Sequence, residues 1–169
     1  MIRPCTNDDF DAIHDIINDA AEAYRGVIPA DCWHTPYMST DELNAELMAG
    51  VIFSGEDDGN ALRGVMGRQD IADVTLIRHA YVRTEEQGKG IGGELLEAVK
   101  PETSCPLLIG TWAAATWAIS FYEAHGFRLV EPEKKDTLLS TYWSVSSRQS
   151  DTSVVLADEM WWKLTGEGS

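Results

Sequence analysis

The sequence predicts a single α/β domain: a mixed, mostly antiparallel sheet of about six to seven strands with helices on both faces. Three observations carry that prediction. The 169 residues, 44% of them hydrophobic and 24% charged, suffice for one core and are too few for two full domains. Two apolar runs in the first half, Val51–Ser54 and Ala61–Gly67, are joined by a turn containing Asp58-Gly59, the mark of a hairpin and hence of antiparallel pairing. Farther on, an apolar strand (Val74–Val82), a helix and a second apolar strand (Leu107–Trp112) follow in the order of a parallel pair with a crossover.

In chain order, a short strand opens the domain. The first helix comes next: Thr6 and Asp9 have capping-box spacing, and Phe10, Ile13, Ile17, Ala20 and Tyr24 recur at three- and four-residue steps up to Gly26. An irregular stretch from Gly26 to Met38 holds Pro29, Trp33, Pro36 and Tyr37. Ser39 to Glu42 then begins a second helix, with Leu43 and Leu47 on one face and Gly50 at its end. After the hairpin and the third strand, Leu95, Leu96 and Val99 define a helix that Pro101 ends. Leu107–Trp112 reads as a buried strand, and Thr116 to His125 as a helix stopped by Gly126. Strands at Phe127–Val130 and Ser153–Ala157 close the sheet, with a short helix near Asp136 to Trp143 between them. The domain spans 1–163, and 164–169 is expected to be a flexible tail.

Charge and cysteine usage narrow the class. Twenty-eight Asp and Glu against 13 Lys and Arg give a net charge of -15, which repels a phosphate backbone and an anionic membrane and attracts a cationic partner such as an amine. Three cysteines, Cys5, Cys32 and Cys105, share no metal or redox spacing, so no metal site is expected and a reduced, cytoplasmic setting is. The start is acidic with no apolar core, unlike a signal peptide, and no apolar run approaches the ~18 residues of a membrane span.

The stretch Gln87-Gly88-Lys89-Gly90-Ile91-Gly92-Gly93 carries the chemistry. Glycines alternate between the end of a strand and the start of a helix, where positive φ and the orphan N–H groups of the first helical turn make an anion site. Lys89 adds a cation, so the ligand is read as a phosphate compound. A dinucleotide is one candidate, because Gly88, Gly90 and Gly93 satisfy G-x-G-x-x-G, but the acidic residue that unit needs about 20 residues on is absent from Thr111-Trp112-Ala113-Ala114.

Gln87-Gly88-Lys89-Gly90-Ile91-Gly92 resembles the Q/R-x-x-G-x-G/A motif of the GCN5-related N-acetyltransferases (GNAT). Ala118-Ile119-Ser120-Phe121-Tyr122-Glu123-Ala124-His125-Gly126-Phe127 is similar to that family's second signature. The resemblance, from about Ile2 to Val130, implies an acyl-CoA N-acyltransferase-like fold, acetyl-CoA as cofactor, and direct attack of a primary amine on the thioester. It implies cofactor contacts from Tyr81, Val82, Gln87, Gly88, Lys89, Gly90, Ile91 and Gly92, with a main-chain N–H near Val82 donating to the thioester carbonyl. It implies Tyr122 as the proton donor to the leaving thiolate and His79, on the strand before the loop, as a candidate base for the incoming ammonium. Tyr24, Trp33 and Tyr37 are expected to wall the amine pocket, with the last strand and Trp161 and Trp162 opposite them. The family's frequent Asn, seven residues before the tyrosine, is here Ala115. A small-molecule amine is the expected acceptor. A protein N-terminus or lysine and a non-catalytic acyl-CoA-binding domain stand as alternatives, and a homodimer as the expected assembly.

Overall fold

The computed structural model describes residues 1–166. Seven strands form one sheet: β1 (Ile2–Pro4), β2 (Ile52–Asp57), β3 (Leu62–Ile71), β4 (Val74–Val82), β5 (Leu107–Trp112), β6 (Arg128–Leu129) and β7 (Ser153–Ala157), in the spatial order β1-β2-β3-β4-β5-β7-β6. All neighbours are antiparallel except β4 and β5. Seven α-helices flank the sheet: α1 (Phe10–Ala21), α2 (Thr40–Met48), α3 (Ile91–Val99), α4 (Thr116–Ala124), α5 (Pro132–Tyr142), α6 (Ser147–Asp151) and α7 (Glu159–Thr165).

The alternation of strand residues builds both layers. On one face Met66, Ile77, Leu107, Ile109 and Leu156 meet Leu95, Leu96 and Val99 of α3 and Tyr122 of α4. On the other face Phe53 and Val65 meet Ile13, Ile16, Ile17 and Leu43 of α1 and α2, while Leu76, Leu108 and Val155 meet Leu138, Leu139, Trp161 and Trp162 of α5 and α7. Cover on both sides buries the first halves of β4 and β5, Val74–Ile77 and Leu107–Ile109, residue after residue rather than in alternation.

The two expected capping boxes are present, the first on a 3-10 turn (Asn7–Asp9) that leads directly into α1. Asp9 accepts from the Thr6 N–H (2.7 Å), and Ser39 and Glu42 exchange bonds at the start of α2. The irregular stretch is tied down: Asn18 on α1 donates to the Met38 carbonyl and accepts its N–H, both at 2.9 Å.

Four expectations need correction. β3 runs on to Ile71 and turns through Ala72 and Asp73 straight into β4, a hairpin hidden because Ala72 adopts positive φ (52°) without a glycine. The polar segment forms the whole of α5 and then α6, each starting at a helix signal, Pro132 at N1 and Ser146 as cap. Trp161 and Trp162 lie on a helix capped by Asp158, pack into the core beneath the sheet and line none of the three cavities described below. Finally, Leu164 and Thr165 belong to α7, so the expected boundary at 163 falls inside a helix; residues 167–169 of the expected tail lie outside the described residues.

Candidate active site

The site begins at the one parallel pair. β4 and β5 hold register only from Thr75↔Leu107 to Ile77↔Ile109. Beyond Ile77, β4 stays with β3 and β5 stays with β7, so the two strands part. The parting coincides with a β-bulge: Val65 faces Tyr81 but Gly67 faces Arg78, so His79 and Ala80 share one partner position opposite Met66. His79 takes the bulge conformation with φ 55°, unusual for a side chain with a Cβ.

The Arg83 N–H donates to the Arg63 carbonyl at 2.9 Å. Antiparallel alternation then turns the N–H and C=O of Val82 away from β3, into the opening. The carbonyl accepts from Gln87 Nε2 at 3.1 Å, and the N–H is left facing the gap.

A cleft of about 370 Å³ runs from this opening to the start of α3, lined by Tyr81, Val82, Gln87, Gly90, Trp117 and Tyr122 among others. Gly88 and Gly90 both have positive φ (81° and 85°), and Gly90 is the N-cap of α3 with no side-chain cap. That geometry leaves the N–H groups from Gly88 to Gly93 without an acceptor among the described residues, the first taken being Glu94 N–H on Gly90 O. Six donors at the positive end of a helix make a cradle for a pyrophosphate-type anion. Asp19 of α1 anchors the preceding turn by accepting the Thr84 N–H at 2.7 Å. Lys89 does not line the cleft: its ammonium is 2.8 Å from Glu86, which also faces Arg63 at 3.5 Å.

Tyr122 is buried (6% exposed), on the wall formed by α4, with Phe121 and Phe127 edge-on at 5.0 and 5.8 Å. Burial pushes its phenol well above the ordinary value, so the hydroxyl stays protonated, and it has no hydrogen-bond partner among the described residues.

On the far side of the opening lie a small cavity of about 140 Å³ and, continuous with it, a wide cleft of about 820 Å³. Tyr24 and Tyr81 line both the 370 Å³ cleft and the small cavity, and so form the partition between the two sides. Tyr37 stands behind them, 5.5 Å from Tyr24 between ring centres, and accepts from Trp112 Nε1 at 2.8 Å. Burial raises the pKa of all three phenols, that of Tyr37 to about 12. His79 lines both the small cavity and the wide cleft. Trp33 lines neither: it lies against Tyr37 (5.6 Å), beneath the Arg25 guanidinium (4.9 Å), and supports the wall from behind. Ala115 is fully buried beside Tyr24 and offers no polar group, while the neighbouring Trp117 stacks on Tyr24 at 5.9 Å and lines the cleft.

Sequence reasoning missed Glu46 of α2, whose Oε2 lies 3.0 Å from His79 Nε2 and 3.3 Å from Arg78. No motif marks it; only the pairing of α2 with the bulge brings it there. Among the described residues no group of three or more His, Cys, Asp or Glu is placed to hold a metal ion, and no helix is long and apolar enough to cross a membrane.

Comparison with known proteins agrees with this geometry. Residues 49–129 match the acetyltransferase (GNAT) domain, a span that includes both the glycine loop and Tyr122. The fold is similar to that of the PaiA N-acetyltransferase from Thermoplasma acidophilum in complex with coenzyme A, with 17% identity over 94% of this chain and 97% of that one and a TM-score of 0.70. It is similar to a GNAT-family acetyltransferase from Staphylococcus aureus Mu50 (17% identity, 94% and 97% covered, TM-score 0.69). It is also similar to the ribosomal-protein-S18-alanine N-acetyltransferase from Escherichia coli (16% identity, 94% and 92% covered, TM-score 0.65). No curated protein matches the sequence. Residues 49–129 thus match the GNAT acetyltransferase domain, and over nearly its whole length the chain has a fold similar to that of the acetyltransferases above.

Proposed function

We propose that this protein is an acetyl-CoA-dependent N-acetyltransferase whose acceptor is the primary amine of a small molecule. The observation that carries the reading is the row of unpaired N–H groups from Gly88 to Gly93, at one end of a cleft that leads to the parting of β4 and β5. Acetyl-CoA, when bound, supplies an activated acetyl thioester. The N–H groups of the glycine loop would hold its pyrophosphate, and the edge of β4 at Val82 and the faces of Trp117 and Tyr81 its pantetheine arm.

The remaining chemistry belongs to the chain. The Val82 N–H donates toward the oxygen on which negative charge develops. Tyr122 holds a proton at its hydroxyl, on the cleft side, for the departing sulfur. The acceptor enters from the wide cleft, meets the partition of Tyr24 and Tyr81, and arrives as an ammonium in an acidic protein that favours cations at long range. His79, whose imidazole lines the small cavity beside the partition, takes the proton the ammonium must lose. Tyr37 shapes the approach through its bond from Trp112.

The test is a thermal-shift comparison with acetyl-CoA, CoA and NADH, followed by a thiol-release screen of small amines and peptides. Stabilisation by the two CoA compounds alone, with turnover of small amines, is expected. At 100 times Kd a ligand stabilises by about 2.7 kcal/mol, enough to move the melting point by several degrees. In Tyr122→Phe, kcat should fall about 100-fold or more with acetyl-CoA affinity unchanged. Stabilisation by NADH would overturn the cofactor assignment, turnover of peptides alone would overturn the acceptor, and an unchanged kcat in the variant would remove Tyr122 from the chemistry.

A further inference from the structure

We propose that Glu46 is the positioning partner of His79: it holds the imidazole with its proton on Nε2, leaving Nδ1 as the nitrogen that accepts the proton of the acceptor ammonium. This rests on the acetyl-transfer reading above and adds to it a residue from outside the matched span.

The argument starts from the bulge. A histidine at φ 55° is held against its own backbone preference, so the surroundings must hold it. Two contacts do so. The ring lies against Phe53, with centres 6.3 Å apart and planes 27° from parallel, and Nε2 lies 3.0 Å from Glu46 Oε2. A carboxylate can only accept, so Nε2 carries the hydrogen, and in the neutral ring Nδ1 is then the lone-pair nitrogen. Nδ1 has no hydrogen-bond partner among the described residues.

The cavities set the order of the groups. His79 lines the small cavity that abuts Tyr24 and Tyr81, whereas Glu46 lines only the wide cleft. Glu46 therefore stands one layer farther from the partition, behind the ring, and opens toward solvent. It is itself anchored. Burial raises its pKa, but the hydrogen bond with His79 and the charge of Arg78 outweigh that and hold it below the ordinary value, as an anion. Arg78 is fixed in turn by donating to Gln69 Oε1 (3.1 Å), and buried Gln69 by donating from Nε2 to the Ala49 carbonyl just after α2 (2.9 Å).

Apart from the free thiol of Cys32, the other charged or titratable groups around the same cleft are otherwise engaged. From the irregular stretch, Asp31 is held in two contacts by Arg148 of α6 (3.0 and 3.1 Å), and His34 bonds its own loop at the Pro36 carbonyl. On α2, Glu42 caps Ser39. Tyr142 of α5 reaches across to Asp73, and Tyr37 accepts from Trp112. Among the described residues Glu46 is thus the carboxylate in contact with His79. The step balances without another reactant: the N–H bond of the ammonium breaks, its electron pair stays on nitrogen for the attack, and the proton binds Nδ1. The imidazolium, steadied by Glu46, then returns the proton to water in the wide cleft.

The test combines imidazole NMR of isotope-labelled protein with pH profiles of kcat/KM for the wild type, Glu46→Gln and Glu46→Ala. In the wild type the neutral His79 ring should be the Nε2–H tautomer. Glu46→Gln keeps an acceptor but removes the charge and leaves Arg78 uncompensated, so the acid limb of the profile should move down by roughly one pH unit, with acetyl-CoA affinity unchanged. Glu46→Ala should lose the tautomer preference as well and lower kcat further. A neutral ring protonated on Nδ1 in the wild type, or a His79 titration that Glu46→Gln does not move, would overturn the proposal. Should the wild type acetylate no amine at all, the acetyl-transfer reading falls, while the imidazole NMR still decides whether Glu46 holds the ring.

Discussion

Replacing Gly67 by Ala should disturb the acceptor side of the site without touching the cofactor side. A Cβ at position 67 would lie 2.7 Å from the Arg78 carbonyl oxygen, 2.9 Å from Val51 Cγ1 and 3.3 Å from Phe53 Cε1. The first contact is with backbone, and with the backbone of the bulge, so rotating a side chain cannot relieve it. Overpacking of this kind costs about 1–3 kcal/mol, partly offset by the ~0.4–1 kcal/mol that Gly→Ala gives by restricting the unfolded chain. A net loss of about 1–2 kcal/mol corresponds, in a domain of this size, to a melting point roughly 2–8 °C lower. The relaxation must push Arg78 and His79 away from β3, and a displacement of about 1 Å can lower kcat by as much as 100-fold. Differential scanning calorimetry and steady-state kinetics read both effects, with acetyl-CoA affinity as the internal control. A variant with wild-type melting point and kcat would mean the bulge yields freely, and the argument that it rigidly positions His79 would fail.

Two further outcomes follow from the same geometry. Gly90→Ala has open space around its Cβ but must keep φ 85°, a conformation that disfavours a Cβ by about 1–2 kcal/mol; if the loop relaxes, its N–H groups tilt and Kd for acetyl-CoA should rise about 5- to 30-fold by calorimetry, whereas an unchanged Kd would deny the cradle its role. The hydrogen bonds of Arg3 to Asp9 and of Arg63 to Glu56 hold both carboxylates down to about 2. Because these folded-state values lie below the unfolded value of about 4, their stabilisation is present above that pH and is lost as pH falls toward about 2. Urea unfolding across that window should show stability falling with pH, and Arg63→Gln should flatten the slope; an unchanged slope would refute the assignment to Glu56.

The fold was legible wherever local chemistry announced it. A capping box on the 3-10 turn Asn7–Asp9 announced the entry to α1 and another opened α2, Asp58-Gly59 placed the first hairpin, and the apolar run of β5 betrayed a buried strand. What stayed hidden lacked such marks. The turn at Ala72 and Asp73 holds positive φ without a glycine, and α7 is capped by Asp158 but begins directly after β7, so its two tryptophans read as a continuing strand. Their burial against Leu76 and Leu108 is a tertiary fact that no periodicity within seven residues can express.

The two halves of the site differed in legibility for a physical reason. The cofactor side is made of backbone, and backbone that must present bare N–H groups at positive φ demands glycine, so Gly88 and Gly90 wrote the cradle into one short stretch. The acceptor side is made of side chains drawn from the turn after α1, the irregular stretch, α2, β4 and the end of β5. Tyr24, Tyr37, Glu46, His79 and Trp112 meet only because Asn18 pins the loop and the bulge turns His79 toward α2. Aromatic residues could be nominated there by type, which placed Tyr24 and Tyr37 on the wall and left Trp33 behind it. Glu46, half-buried on an otherwise mostly exposed helix, carried no signal at all. The same asymmetry should govern how variants behave: substitutions in the glycine loop should act on cofactor affinity whatever the amine, and substitutions among the scattered acceptor residues should change which amine is turned over while leaving that affinity alone.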